Sequence, residues 1–122
     1  MLESSPSPGG ERPAPARAER RAYVRVPSSL GAQCRPTRRL DVSWPGRVQD
    51  ISQGGLGLLM RHCFRAGTHL DVELCGRGGA VLRTVAVRVV HARAAVVDGE
   101  RCWLLGCAFD EPLSEEDLRQ LI

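Results

Sequence analysis

The feature that most constrains the fold of this 122-residue chain is an apolar alternation with a period of two residues, which recurs from residue 30 onward. It is strictest in residues 68–74, "THLDVEL", where Leu70, Val72 and Leu74 alternate with polar side chains. Successive side chains of a β-strand point to opposite faces of its sheet, so this pattern predicts a strand with one buried face. None of the alternating runs sustains the stripe of an amphipathic helix. The chain is therefore predicted to be dominated by β-structure.

Turn residues separate the alternating runs and predict short antiparallel strands at residues 30–35, 46–52, 54–60, 68–74, 80–93 and 102–109. In the second run, strict alternation predicts Val48 and Asp50 on one face and Gln49 and Ile51 on the other. The glycines at residues 54–55 favour a tight hairpin into the third run. Closure of these strands into a small six-stranded antiparallel β-barrel would remove exposed edges, so a barrel is the predicted fold.

The C-terminal segment, "PLSEEDLRQLI", has the signals of a helix instead. Ser114 is a good N-cap, and Asp117 follows it at the spacing of a capping box. Leu113 and Leu118 are placed to form a hydrophobic staple around the first turn. The apolar residues predicted to dock this helix on the barrel are Leu118, Leu121 and Ile122.

The first 18 residues differ in composition from the rest, because Pro, Ser, Gly and Ala dominate and Leu2 is the one aliphatic residue. Such a segment buries too little apolar surface to offset the entropy of ordering, which predicts a disordered tail over 1–18 and a β-barrel domain over 19–122. No apolar N-terminal run resembles a signal peptide, and no stretch approaches the ~20 apolar residues of a membrane span. The expected location is therefore the cytoplasm.

Five cysteines occur, and none forms a C-x-x-C pair. In a cytoplasmic protein they are predicted to be reduced and mostly buried as small apolar side chains. The three histidines do not pair with them at zinc-finger spacing. No metal site and no cofactor are expected.

Arginines cluster in "ERRAYVR", residues 19–25, within a basic N-terminal half that contrasts with an acidic C-terminus. Arg21 and Arg25 are spaced as R-x-x-x-R, and Arg20 stands directly before them. A guanidinium group can bind a phosphate bidentately or read the O6 and N7 edge of a guanine. Taken alone, the cluster is more typical of a solvated basic linker.

A second candidate stretch is "DISQGG", residues 50–55. The Asp50 carboxylate could accept hydrogen bonds from a base, and the Ser52 hydroxyl could donate to or accept from a ligand. Gly55 permits a positive φ and a close approach of backbone. The alternative is a hairpin in which Asp50 and Ser52 cap the turn.

The order R-x-x-x-R, then about 25 residues later D-x-S-x-x-G, resembles the PilZ family of bacterial receptors for cyclic di-GMP. "GRVQDISQGGLGLLM" and "LLGCAFDEPLSEEDLRQLI" are similar to the motif hairpin and C-terminal helix of that family, so the resemblance spans residues 19–122. It implies that Arg21 and Arg25 grip the phosphates and guanine edges. It also implies that Asp50, Ser52 and Gly55 line the surface on which a guanine rests. In this family an arginine directly before the R-x-x-x-R motif, here Arg20, implies that the ligand binds as an intercalated dimer.

The function that this resemblance implies is a single-domain receptor and adaptor, which orders its N-terminal arm on binding cyclic di-GMP and is then read by an unidentified effector protein. No catalytic or phosphate-cradling motif is present, so the chain is not expected to be an enzyme. One alternative is a small nucleic-acid-binding barrel, against which the 4% aromatic content and the acidic C-terminus argue. The other is an interaction module that binds no ligand.

Overall fold

In the computed structural model, which describes residues 23–122, seven strands precede the C-terminal helix. The elements are β1 (Val26–Pro27), β2 (Gly31–Pro36), β3 (Trp44–Ile51), β4 (Gly55–Met60), β5 (His69–Cys75), a 3₁₀ turn (Arg77–Gly79), β6 (Val81–Val97), β7 (Glu100–Phe109) and α1 (Glu115–Arg119).

The strands form one closed antiparallel sheet in the order β3-β2-β5-β6-β7-β4, and β4 pairs back on β3. This arrangement confirms the predicted six-stranded antiparallel barrel with a C-terminal helix. The two-residue strand β1 was not predicted. It pairs with β3 beyond the end of β2, with Val26 opposite Ile51 and Pro27 opposite Asp50. The pairing brings the chain that follows the arginine cluster alongside the second candidate stretch.

A β-bulge interrupts β3 between Val48 and Asp50, where the register with β4 shifts. Val48 and Ile51 are both fully buried, and Gln49 is exposed. The predicted placement of Val48 and Ile51 on opposite faces is therefore wrong, because the extra residue of a bulge resets the alternation. Without the bulge, Asp50 would share the buried face of Val48. The bulge keeps this carboxylate out of the core and on the outer face of the barrel.

Strand β6 is 17 residues long and extends past the end predicted for it. It closes on β7 through a two-residue turn at Asp98 (φ 52°) and Gly99 (φ 79°). Positive φ at both central positions is the geometry of a type I′ turn, which Asp-Gly adopts readily. Residues 91–97 thus form the first arm of a hairpin that projects along β7.

The buried core consists of apolar side chains, mostly aliphatic, and includes two thiols, Cys34 and Cys107. The pKa of both thiols is raised to about 12, in Cys107 by burial and in Cys34 by burial together with the neighbouring Cys107 and Cys75. Since the thiolate is the reactive form of cysteine, these two groups are inert at neutral pH. The prediction of mostly buried cysteines is wrong for the other three, because Cys63 is exposed and two lie at intermediate depth.

Helix α1 is anchored to the hairpin between β3 and β4 rather than to the barrel alone. The Ser114 hydroxyl accepts a hydrogen bond from the Asp117 N–H at 3.0 Å, as the capping pattern predicts. Just before it, Leu113 is buried and exchanges hydrogen bonds with Gln53: its N–H donates to the Gln53 carbonyl at 2.8 Å, and its carbonyl accepts from Gln53 Nε2 at 2.9 Å. Ile122 is 62% exposed, so its predicted docking contact is wrong.

Within residues 23–122, no helix is long and apolar enough to cross a bilayer.

Candidate functional site

The turn between β3 and β4 is organised by Ser52, the one buried polar side chain within residues 23–122. Its hydroxyl oxygen accepts hydrogen bonds from the N–H groups of Gly54 at 3.1 Å and Gly55 at 3.2 Å. The hydroxyl also donates to the Gly55 carbonyl at 3.3 Å. Ser52 therefore has the turn-capping role that the sequence offered as an alternative. Its contact with a ligand stays a prediction.

Gly55 allows the backbones of β4 and β7 to approach one another. A Cβ atom at this position would lie 2.1 Å from the Cys107 carbonyl oxygen and 3.2 Å from the Ala108 Cα. The predicted close approach of backbone is thus observed, although the neighbour is β7. Gly55 does not adopt the positive φ that glycine permits, since it is absent from the positive-φ glycines of the described chain.

Arg25 and Asp50, which come from different motifs, form an ion pair on the outer face of the barrel. Arg25 Nη1 donates to Asp50 Oδ1 at 2.5 Å, and the two side chains are 53% and 34% exposed. The pairing of β1 with β3 places Pro27 opposite Asp50, which brings Arg25, one residue before β1, close enough for its side chain to reach Asp50. Two residues before Arg25, the ring of Tyr23 packs over Gly54, where a Cβ would lie 2.6 Å from it. Arg20 and Arg21 lie outside the described residues.

Asp50 begins a row of residues that crosses the barrel strand by strand. Asp50 is paired with Gly57, Gly57 with Gly106, and Gly106 with His91. Directly paired residues of neighbouring strands point to the same face of a sheet. Here that face is the outer one, because Leu56, Leu58 and Leu105 point into the core. We call Gly57 and Gly106, which lie between the two flanking side chains, the glycine shelf.

The flanking side chains lean inward over the glycine shelf. A Cβ on Gly57 would lie 3.1 Å from Asp50 Oδ1, and a Cβ on Gly106 would lie 2.4 Å from His91 Nε2. The two glycines therefore make room for a carboxylate and an imidazole to approach each other across two strands. Larger residues at either position would push these groups apart.

A shallow depression lies at this place, lined by Arg25, Ser52, Gly54, Gly55, His91, Gly106 and Cys107. Its free volume of about 20 Å³ admits about one water molecule. Arg25 and His91 therefore flank a nearly closed surface rather than a cavity.

Sequence reasoning missed His91 and both shelf glycines. A glycine inside a strand often marks a close approach of backbone or ligand, so Gly57 and Gly106 carried a usable signal. His91 carried none, because only the register of β6 with β7 places it beside Gly106.

Comparison with known families decides the identity of the chain. The sequence profile of the PilZ domain matches residues 19–122. The chain belongs to the PilZ domain family. Comparison with curated protein sequences gives no match.

Solved structures share the fold of this PilZ domain at low sequence identity. The PilZ domain of YcgR from Escherichia coli with c-di-GMP is 21% identical, with a TM-score of 0.63 over 84% of this chain and 86% of that one. PlzA of Borreliella burgdorferi in complex with c-di-GMP is 17% identical, with a TM-score of 0.59 over 88% and 53%. The inhibitor of motility MotI/DgrA of Bacillus subtilis is 17% identical, with a TM-score of 0.57 over 81% and 46%. The chain thus spans most of the first structure and about half of the other two.

Proposed function

We propose that this PilZ domain is a receptor for cyclic di-GMP, which lies across the surface formed by Arg25, Asp50, the glycine shelf and His91. The observation that carries the proposal is the meeting of Arg25 and Asp50, one from each predicted motif, with His91 beyond the buried glycine shelf. Family membership supports it, as do the c-di-GMP complexes named for YcgR and PlzA.

The chemistry of these groups suits guanine. The Asp50 carboxylate can accept hydrogen bonds from the N1–H and N2–H groups of the base, which lie side by side on one edge. Arg25 can bind a phosphate or the O6 and N7 edge. These two side chains are hydrogen-bonded to each other, so each is held at the site. Binding would exchange one exposed ion pair for several charge-assisted contacts.

The same arrangement offers a route for the signal. Arg25 lies one residue before β1, and Arg20 and Arg21 precede it in the chain. A ligand held by Arg21 and Arg25 would tie the N-terminal arm to the barrel, and an effector protein would read the surface so formed. In this proposal Arg20 contacts the second molecule of an intercalated ligand dimer. The domain acts by binding and carries out no catalysis.

Titration calorimetry of the full chain with cyclic di-GMP tests the receptor function. We expect saturable heat at micromolar ligand and a ratio near two ligands per chain. Cyclic di-AMP is the matched control, because adenine lacks the O6 acceptor and the N2 amine; it should bind at least tenfold more weakly. Absence of heat with cyclic di-GMP would refute the receptor function. A ratio of one would refute the role of Arg20 and leave the receptor function standing.

His91→Ala should weaken cyclic di-GMP binding about tenfold, because contact between a base and an aromatic ring contributes ~1–3 kcal/mol. His91 is exposed, so the thermal unfolding midpoint should stay within a degree or two of wild type. His69→Ala, which removes another exposed histidine on β5 outside the row, is the control and should bind as wild type does. Unchanged affinity in His91→Ala would remove this residue from the site.

A further inference from the structure

Strand β6 extends beyond the end of β5, the strand that covers one of its two edges. Strand β5 pairs with β6 between Val81 and Arg88, and the N–H and C=O groups of Val89 bond to residues 67–68 on the same edge. From His91 to Val97 the only strand beside β6 within the described chain is β7, on the opposite edge. Seven residues of β6 therefore have one edge that no described strand covers.

The turn that closes the hairpin shows which backbone groups point to this edge. Val97 and Glu100 flank the two-residue turn, so they bond to each other through both backbone groups. Alternation then directs the N–H and C=O groups of residues 91, 93 and 95 to β7. Those of Ala92, Ala94 and Val96 point away from β7. The N–H and C=O groups of Val89 also point away from β7, because the bulge at Val90 inserts one extra residue between the two halves of β6.

The side chains along this edge do little to block another strand. The run from residue 91 reads "HARAAVV", with Arg93 as its one charge and no proline. Val96 is 71% exposed. Natural proteins usually protect a free edge with charges, prolines or a covering loop, because an uncovered edge is a template for strand pairing.

We propose that the free edge of residues 92–96, here called the β6 edge, pairs antiparallel with the same edge of a second copy of this chain. The two-fold axis passes through Ala94, which then lies opposite Ala94 of the second copy, and Ala92 lies opposite Val96. These hydrogen-bonded pairs use the backbone groups that point away from β7 and join two barrels through one continuous sheet. Closed two-fold dimers are the commonest protein assemblies, because one surface serves both partners.

The occupant is a second copy because the segment is complementary to itself in size and charge. In this register the large Val96 meets the small Ala92, and the charged Arg93 meets Ala95 of the other copy. A register centred on Arg93 would place two arginines directly opposite each other, which is unfavourable. The sequence therefore favours the register centred on Ala94 over the one centred on Arg93.

Sedimentation equilibrium of the full chain over a concentration series tests the proposal. The wild-type protein should reach a mass near twice the 13.3 kDa of one chain. Ala94→Pro should remain monomeric, because proline removes the N–H that points to the second copy and none that bonds to β7. A wild-type chain that stays monomeric at the highest concentration would overturn the proposal.

Ala94→Lys provides a second variant in case proline disturbs the hairpin. It places two ammonium groups across the two-fold axis and should raise the dimer dissociation constant at least tenfold. Ala86→Lys is the matched control, because it adds the same charge on the exposed face of β6 where β5 already pairs. The control should dimerise as wild type does. Full dimerisation of Ala94→Lys, or equal loss in both lysine variants, would overturn the assignment to the β6 edge.

Discussion

Gly55→Ala is expected to lower the free energy of unfolding by about 3 kcal/mol or more, which places it among the severe substitutions. The added methyl carbon would lie 2.1 Å from the Cys107 carbonyl oxygen, well inside van der Waals contact. Neither strand can easily move away. Gly55 pairs with Ala108, and the adjacent Phe109 N–H donates to the Gly54 carbonyl at 2.9 Å, so separation would cost hydrogen bonds of the β4–β7 ladder. Chemical denaturation followed by circular dichroism measures the loss.

Gly31→Ala is the matched control for this substitution. Gly31 also lies in a strand, but a Cβ there would meet its nearest neighbour at 3.8 Å, an ordinary contact distance. We expect its free energy of unfolding to change by less than about 1 kcal/mol. Equal denaturation midpoints for Gly55→Ala and wild type would show that β4 and β7 can separate without loss. The requirement for glycine in the motif would then have to come from the ligand alone.

The barrel was predictable because its main determinant is local. A strand with one buried face must alternate, and residues 68–74 do so without exception. The polarity of Val48, Gln49, Asp50 and Ile51 breaks the period of two, which signals an irregularity in β3 but does not locate the extra residue. Which residue a bulge adds depends on pairing with β4, and the sequence does not encode that pairing locally.

Strand β6 is longer than predicted, although the sequence contains a signal for its true end. Its predicted end at residue 93 reflects the run "AAVV", which is apolar at every position and so has no period of two. The Asp98–Gly99 pair that directly follows this run is a strong hairpin signal, and the two residues form the turn between β6 and β7. Apolar and polar residues do not alternate there, because this arm of the hairpin lies outside the barrel and has no buried face.

The candidate site likewise has one part that the sequence predicts and another that it does not. Asp50, Ser52 and Gly55 form one short motif, so their proximity follows from sequence alone. Their contact with Arg25 requires β1, a two-residue strand too short to leave a pattern. His91 enters through the register of β6 with β7, more than thirty residues further along the chain. The sequence alone therefore identifies the motif. The residues beside it, Gly57, Gly106 and His91, are found only from the sheet topology.

Arg25→Ala should weaken cyclic di-GMP binding about 100-fold or more. Hydrogen bonds to charged groups contribute ~1.5–3 kcal/mol each, and a tenfold change in affinity corresponds to ~1.4 kcal/mol. Loss of the guanidinium also leaves the Asp50 carboxylate without its partner beside an anionic ligand. Both effects act in the same direction. Calorimetry on the wild type and the variant gives the ratio of the two dissociation constants.

The fold should tolerate this change, which allows binding to be separated from stability. The Arg25–Asp50 pair is largely exposed, and such pairs contribute at most about 1 kcal/mol. Arg77→Ala, which removes an exposed arginine from the 3₁₀ turn, should bind as wild type does and controls for net charge. Arg25→Lys keeps the charge and loses the planar fork, so it should fall between wild type and alanine. If lysine restores full affinity, Arg25 serves as a point charge; if alanine binds as tightly as wild type, the ligand does not engage the arm at Arg25.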